Sequence, residues 1–273
     1  MNVPKTNVTT DAPVLSRERD QDVAILVLNR PQTRNSLTEE LLTALSAALT
    51  DIAADRTVRT VVIAANGPAF CAGHDLKELT SRRRDADGGR AYFRYIMTMC
   101  SAMMQQIVNL PQPTVAAVQG MATAAGCQLV ASCDLAVASV NAKFATPGVD
   151  IGLFCSTPMV ALSRNVARKH AMEMLLTGDA ASAEEAHRMG LVNRVVPAGT
   201  EREEALVFAR KIASKSSHTV KLGKEGFYRQ AEMSLARAYE YVSEVMVENL
   251  MAHDAEEGLK AFIDKREPKW EDR

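Results

Sequence analysis

Short, unbroken apolar runs, each closed by turn residues, restrict the folds open to this chain more than any other feature. Val23 to Leu28 reads VAILVL and stops at Asn29-Arg30-Pro31. Val58 to Ala64 stops at Asn66-Gly67-Pro68, and Thr114 to Val118 is a third such run. A strand wet on one face alternates apolar with polar residues, so these runs predict strands buried on both faces. Between the first two, Leu37, Leu41, Leu42, Leu45, Leu49 and Ile52 recur at helical spacing, and Ser36 with Glu39 offers a capping-box start. A long helix is predicted from about Arg90 to Val108, with further short strands at Leu135 to Ala138 and Ala142 to Phe144. Strands alternating with helices make an α/β fold with at least partly parallel pairing.

The two ends read differently. Residues 1–20 look like a loose tail. After about Lys211 the pattern is helical throughout: Leu235, Ala238, Tyr239, Val242, Val245 and Met246 share one apolar face, and Asp254 opens a last helix through Ile263. The expected organisation is a tail (1–20), a core that carries chemistry (21–211) and a helical region (212–273) that docks on a neighbour.

Composition excludes several classes. With 273 residues, 47% of them hydrophobic and 24% charged, the chain can fill a sizeable core. Lys+Arg 32 against Asp+Glu 33 argues for neither nucleic acid nor an anionic membrane as partner. Tyr95 to Cys133 carries no charge, but Gln105, Gln106, Asn109, Pro111 and Gln119 interrupt it, so it reads as buried core and not as a membrane span. The amino terminus lacks an apolar run and carries Asp11, Glu18 and Asp20. Five cysteines show no CxxC pair, which fits buried thiols and neither a zinc site nor a disulfide frame. The expected location is the cytoplasm.

Two local patterns invite a chemical reading. Phe70-Cys71-Ala72-Gly73-His74-Asp75-Leu76-Lys77 sits where a strand leaves for a helix, and Gly120-Met121-Ala122-Thr123-Ala124-Ala125-Gly126-Cys127-Gln128 repeats the arrangement. Small turns let backbone N–H groups point into a cavity, and the amides at a helix start lack intrahelical partners. Brought together, two such turns would make an anion site with two backbone donors. The alternative is that small residues before helices serve packing. No Walker loop or dinucleotide fingerprint appears.

Taken with other runs, these patterns resemble the enoyl-CoA hydratase/isomerase (crotonase) superfamily over nearly the whole chain. The runs are LNRP at Leu28 to Pro31, FCAGHDLKEL at Phe70 to Leu79, VQGMATAAGCQLVASCDLAVAS at Val118 to Ser139, KFATPGVDIGL at Lys143 to Leu153, LLTGDAASAEEAHRMGLVNRVVP at Leu175 to Pro197 and DAEEGLKAFIDKREPKW at Asp254 to Trp270. Within it, GHDLKEL and ATAAGCQLVASCD are most similar to the enoyl-CoA hydratase domain-containing protein 3 group. The resemblance implies a spiral of ββα turns with a helical C-terminal region, assembled as homotrimers or homohexamers. It implies a lyase of fatty acid metabolism whose substrate is an acyl-CoA thioester, coenzyme A being part of that substrate and no cofactor or metal being held permanently. The thioester oxygen would lie between the N–H groups of His74 and Ala125. The loop His74, Asp75, Leu76 and Lys77 would cradle the CoA, with Phe262 and Lys265 touching it from a neighbouring subunit.

Hydratases of the family use two glutamates, and the resemblance places Gln128 and Gly148 at those positions. A carboxamide does not titrate, so Gln128 can orient a water but cannot take its proton. Asp150, two residues past Gly148 and on the same side of a strand, is one substitute; a capping carboxylate is the alternative. Ser156 lies near where dienoyl-CoA isomerases place a carboxylate, and its hydroxyl could hold a water. The His74 ring suits proton transfer near neutrality, or packs outside while only its amide matters. Three functions therefore stand: a nominal enoyl-CoA hydratase, an acyl-CoA decarboxylase or isomerase, and a catalytically silent acyl-CoA binder. Met97, Met99, Met103 and Met104 read as helix packing or an adaptable acyl pocket, and Ser81-Arg82-Arg83-Arg84 as a solvated loop or a phosphate contact.

Overall fold

The computed structural model describes residues 12–273. Strand β1 (Leu15–Asp20) runs antiparallel to β2 (Val23–Leu28), and α1 (Glu39–Ala54) follows. Two ββα turns come next. The first is β3 (Thr60–Ala65), β4 (Ala69–Cys71), α2 (Leu76–Ser81) and α3 (Arg90–Asn109); the second is β5 (Thr114–Val118), β6 (Met121–Thr123) and α4 (Ala125–Ser132). A third turn has β7 (Leu135–Ser139) and β8 (Lys143–Ala145), a 3-10 turn over Pro147–Ile151, α5 (Pro158–Asn165) and α6 (Arg168–Thr177). It continues through β9 (Ala181–Ser182), α7 (Ala183–Met189) and β10 (Arg194–Val196). The chain ends in α8 (Glu201–Ala213), α9 (Ser217–Gln230), α10 (Leu235–Met251) and α11 (His253–Ile263).

The first strand of each turn joins one sheet and the second joins another. The large sheet has order β1-β2-β3-β5-β7-β10 and is parallel from β2 onward; the small one runs β4-β6-β8-β9. The unbroken apolar runs are explained by two covers. Val23, Ile25 and Val27 pack with Ala205, Leu206 and Ala209 of α8, while Leu26 and Leu28 join the main core with Leu41 and Leu45 of α1. Helix α4 is buried along its whole length, which its small and apolar residues permit. All five cysteines are buried and free. Met103 and Met104 are core residues of α3, with Met97 and Met99 packed against that core. No helix among the described residues is long and apolar enough to cross a membrane.

Three expectations need correction. The stretch Leu15–Asp20, placed in the loose tail, is the edge strand β1; the rest of that tail, through residue 11, lies outside the described residues. One buried residue, Leu15, left no apolar pattern to read. The strand is held by its ladder and by ion pairs of Arg17 with Asp51 (2.7 Å), Arg210 with Asp20 (2.6 Å) and Arg202 with Glu18. Helix α1 is capped by Thr38, whose hydroxyl accepts from the Leu41 amide, and not by Ser36. Asp150 stands in a 3-10 turn, where residues two apart do not share a face, so the strand argument that placed it beside residue 148 fails.

Candidate active site

Parallel pairing of β4 with β6, Ala69 opposite Met121 and Cys71 opposite Ala122, sets the exits of the two small strands side by side. The turns that follow touch. A Cβ built on Gly73 would lie 3.0 Å from the Thr123 carbonyl oxygen, 3.1 Å from the Ala124 Cβ and 3.2 Å from the Ala125 nitrogen. Gly73 also has φ +84°, so glycine is required there on both counts. One residue into α4, a Cβ on Gly126 would meet the Cys71 carbonyl oxygen at 2.1 Å. The glycines thus permit the close approach that packing alone would also demand, and the approach brings His74 and Ala125 together.

Backbone planarity then sets the direction of each amide. The carbonyl of Gly73 accepts from the Leu37 amide at 2.8 Å, and a trans peptide carries its N–H opposite its C=O. The His74 N–H therefore points away from Leu37. Ala124, the residue before α4, has φ 49° and ψ −118°, a conformation that a side chain disfavours. Its amide donates to Ala145 at 2.9 Å and its carbonyl accepts from Gln128 at 3.0 Å. The Ala125 N–H, at the first position of the helix, points back out of its amino end. Backbone strain of this kind gathers at functional sites.

Side chains nearby are polar but uncharged. Gln128 is 5% exposed and its Oε1 has no hydrogen-bond partner among the described residues; nor have Thr146 Oγ1 or the two ring nitrogens of His74. Burial, with no hydrogen-bond partner among the described residues to offset it, pushes the His74 imidazole below its ordinary value. Burial also pushes the Cys71 and Cys127 thiols up to about 12, which leaves them protonated and unreactive. Gly148 is buried and its φ is not left-handed, but a Cβ there would sit 3.0 Å from both Cys155 Sγ and the Leu153 carbonyl oxygen.

The other expected site residues differ in exposure and in what they bond. The exposed Asp150 carboxylate rests over the end of α6, where a Cβ on Gly178 would be 3.1 Å from both oxygens. Ser156 is exposed, with its hydroxyl 3.4 Å from the Phe154 carbonyl. Leu76 and Lys77 are exposed at the start of α2, but the Asp75 carboxylate is occupied: Oδ1 accepts from the Lys77 and Glu78 amides at 2.8 and 3.0 Å, and Oδ2 accepts from the Ser36 hydroxyl at 3.2 Å. Phe262, 84% exposed, and Lys265 lie at the end of α11 on the surface. Arg82 and Arg83 lie over the Tyr92 and Phe93 rings at 4.5 and 5.7 Å. The sequence marks neither Ala124 nor Ser36 as a site residue. The strain at Ala124 leaves no mark in a run of small residues, and Ser36 is legible only as a cap.

Strands that alternate between two sheets, with two helix-starting turns meeting at Gly73, define a protein of the crotonase fold. Residues 18–273 match the enoyl-CoA hydratase/isomerase family, and the chain belongs to it. It is similar to the Rattus norvegicus protein called enoyl-CoA hydratase domain-containing protein 3, mitochondrial, at 49% identity over 259 residues, 94% of this chain and 85% of that one. Among solved structures, that of an enoyl-CoA hydratase from Mycobacterium smegmatis superposes with a TM-score of 0.90 at 49% identity, over 95% of this chain and 99% of that one. The human enoyl Coenzyme A hydratase domain-containing protein 3 gives 0.89 at 47% identity, over 94% and 100%.

Proposed function

We propose that the protein binds an acyl-CoA thioester and stabilises its enolate between the N–H groups of His74 and Ala125. The observation that carries this reading is the contact of the two turns at Gly73, with both amides turned away from their own supports. Such donors are fixed before the charge develops, and losing one typically costs about 2.7–4 kcal/mol of barrier. The nominal reaction is hydration: water bonds to C3 of an enoyl thioester and gives up one proton, the C2–C3 π pair shifts so that charge falls on the thioester oxygen, and C2 then takes a proton as that pair returns. The family's two glutamates are replaced by Gln128 and Gly148, so proton transfer here lacks its usual carriers and hydration is slow. In the assembled homotrimer or homohexamer, Phe262 and Lys265 of a neighbour reach the CoA. Calorimetry with acetyl-CoA and crotonyl-CoA tests the reading; saturable binding is expected, and its absence for both would refute it.

A second reading is favoured by the side chains around Gln128. The Asp75 carboxylate is occupied by α2 and by Ser36, and Gln128 and Gly148 bring no carboxylate to the two turns. Decarboxylation of a malonyl-type thioester needs no protein base. The C2–carboxylate bond breaks, its electron pair becomes the enolate held by the same two amides, carbon dioxide leaves, and C2 takes a proton from water. Release of carbon dioxide from malonyl-CoA, against crotonyl-CoA hydration under the same conditions, separates the two chemistries.

A further inference from the structure

The turn that presents His74 is gripped along its length by the segment that leads into α1 and by that helix's first residue. Ala72 donates to the Arg34 carbonyl at 3.0 Å, Leu37 donates to the Gly73 carbonyl at 2.8 Å, and the Glu39 amide donates to Glu78 Oε2 at 3.3 Å. Leu37 and His74 pair as an isolated parallel bridge. That gripping segment is itself unusual in backbone: Arg34 and Asn35 both have φ 53°, the left-handed region that Asn tolerates better than most residues. Asn35 is fully buried and spends its whole side chain on fixing the segment. Its Oδ1 accepts from the Arg30 amide at 2.8 Å, and its Nδ2 donates to the Asn66 and Ala69 carbonyls, each at 2.9 Å.

We infer that Asn35, Ser36 and Asp75 are positioning residues that aim the His74 amide, and that Asp75 does this instead of binding CoA. One peptide plane links the three residues to the donor. Gly73 O and His74 N belong to the same planar unit, so whatever holds the Leu37 amide against Gly73 O also sets the direction of the His74 N–H. Ser36 precedes Leu37 and Asp75 follows His74, so the Ser36–Asp75 hydrogen bond closes the far side of the same frame. Asp75 in turn locks α2 through two amides, which stops the turn from sliding along Leu37. A donor displaced by a fraction of an ångström still binds substrate, but it no longer meets the oxygen as charge develops there; a misplacement of about 1 Å can cost about 10²-fold in rate.

The inference rests on the proposed role of the His74 amide as a donor to the thioester oxygen, and the test separates the two. Acetyl-CoA labelled with carbon-13 at the thioester carbonyl is bound to the full chain and its carbonyl stretch is recorded by difference infrared spectroscopy, alongside hydrogen exchange at C2 in deuterium oxide. The wild type is expected to lower the bound carbonyl frequency relative to free acetyl-CoA. Ser36→Ala and Asp75→Ala are each expected to move it back toward the free value and to slow exchange by about tenfold or more, while the Kd changes by less than about threefold. Asp75→Asn is expected to restore most of both signals, because an amide oxygen still accepts from Lys77 and Glu78 and a serine hydroxyl can accept as well as donate. Thermal melts of each variant report folding, and the carbonyl signal of the bound ligand is read only from the folded protein. A lowered frequency in the wild type that Ser36→Ala and Asp75→Ala leave unchanged overturns the positioning role alone, as does a Kd that rises steeply with Asp75→Asn. A wild-type complex whose carbonyl frequency equals that of free acetyl-CoA overturns the donor role of His74, and the inference falls with it.

Discussion

At the scale of single residues, the centre of the molecule departs from what side chains ordinarily permit, and each departure makes a prediction. Ala124 holds φ 49° and ψ −118°, a conformation that costs a residue with a Cβ about 1–3 kcal/mol. Replacing alanine by glycine usually destabilises, but Ala124→Gly is expected to raise the melting temperature, because glycine adopts that conformation without strain and is accepted before a helix. A lowered melting temperature would show that the alanine methyl contributes more by packing than it costs by strain. Gln128 and Gly148 make a contrasting pair. Gln128→Glu places a carboxylate in space the amide already fills, and crotonyl-CoA hydration is expected to rise by about tenfold or more, since general base help is worth about 10²–10⁴-fold in full. Burial raises the pKa of an unpaired carboxyl, so the gain should grow as pH rises past the ordinary glutamate value; a gain independent of pH would argue against a base. Gly148→Glu lacks such space. Its Cβ would press on the Leu153 carbonyl and Cys155 Sγ at 3.0 Å, and overpacking of this kind costs about 1–3 kcal/mol. The double variant should therefore melt below Gln128→Glu.

At the scale of elements, the helical carboxyl-terminal region is fastened to the core by one buried ion pair. Lys224 of α9 donates to Asp134 Oδ2 at 2.8 Å and to the Ile107 and Gln112 carbonyls at 3.1 and 3.2 Å. Tyr228, one turn on, donates to Asp134 Oδ1 at 2.9 Å, and Thr114 donates to Oδ2 from its amide and its hydroxyl. The Lys224 side chain is 7% exposed and that of Asp134 17%. Lys224→Met leaves the Asp134 carboxylate without its counter-ion and takes a donor from two carbonyls, and breaking a buried pair in this way costs about 3–5 kcal/mol. Tyr228→Phe removes one neutral donor to the same carboxylate and should cost only about 1.5–3 kcal/mol. Urea unfolding measures both, and equal costs would mean that Lys224 is not the anchor. None of this anchor was legible in the sequence: Lys224 and Asp134 are ninety positions apart, and no periodicity marks a single charge turned inward. The strands that could be read, Val23–Leu28 and Thr114–Val118, are those buried on both faces, where burial writes itself into composition. β1 with its charges, and β6 and β9 with three and two residues, carry too little apolar sequence to stand out. The two site turns are visible because close approach demands small residues, whereas the frame that holds them joins backbone bonds to single polar side chains, Asn35, Ser36 and Asp75, that no periodicity marks.

At the scale of the whole molecule, the last helices present apolar surface that nothing in the described chain covers. Leu235, Tyr239, Met251, Phe262 and Ile263 are each at least two-thirds exposed. Single exposed apolar residues are ordinary, but a run of them along two adjoining helices predicts an interface. The same region is tied down by carboxylates. Arg266 grips both oxygens of Glu257 at 2.7 and 2.8 Å and, with the Lys269 amide, holds its carboxyl at about 2. Burial would raise the Asp254 carboxyl, but the Ser216 hydroxyl, the Glu271 and Asp272 amides and His253 together take it below its ordinary value. Both are acids with lowered folded pKa values, so what they contribute is present in full above the ordinary carboxyl range and is lost as pH falls through it toward about 2 for Glu257. α11 carries Phe262 and Ile263 and is anchored at its first turn by Asp254, whose carboxylate accepts from the Glu271 and Asp272 amides at 2.8 and 2.9 Å. Acid should therefore release α11 and the assembly together, before the doubly covered sheet unfolds. Sedimentation is expected to report a trimer or hexamer at pH 7 and smaller species as pH drops below the ordinary glutamate value, while far-ultraviolet dichroism still shows a folded core. A monomer at pH 7 and micromolar concentration would remove the interface and, with it, any contact of Lys265 with a neighbour's CoA; an assembly that persists until the core itself melts would show that the carboxylates do not govern it.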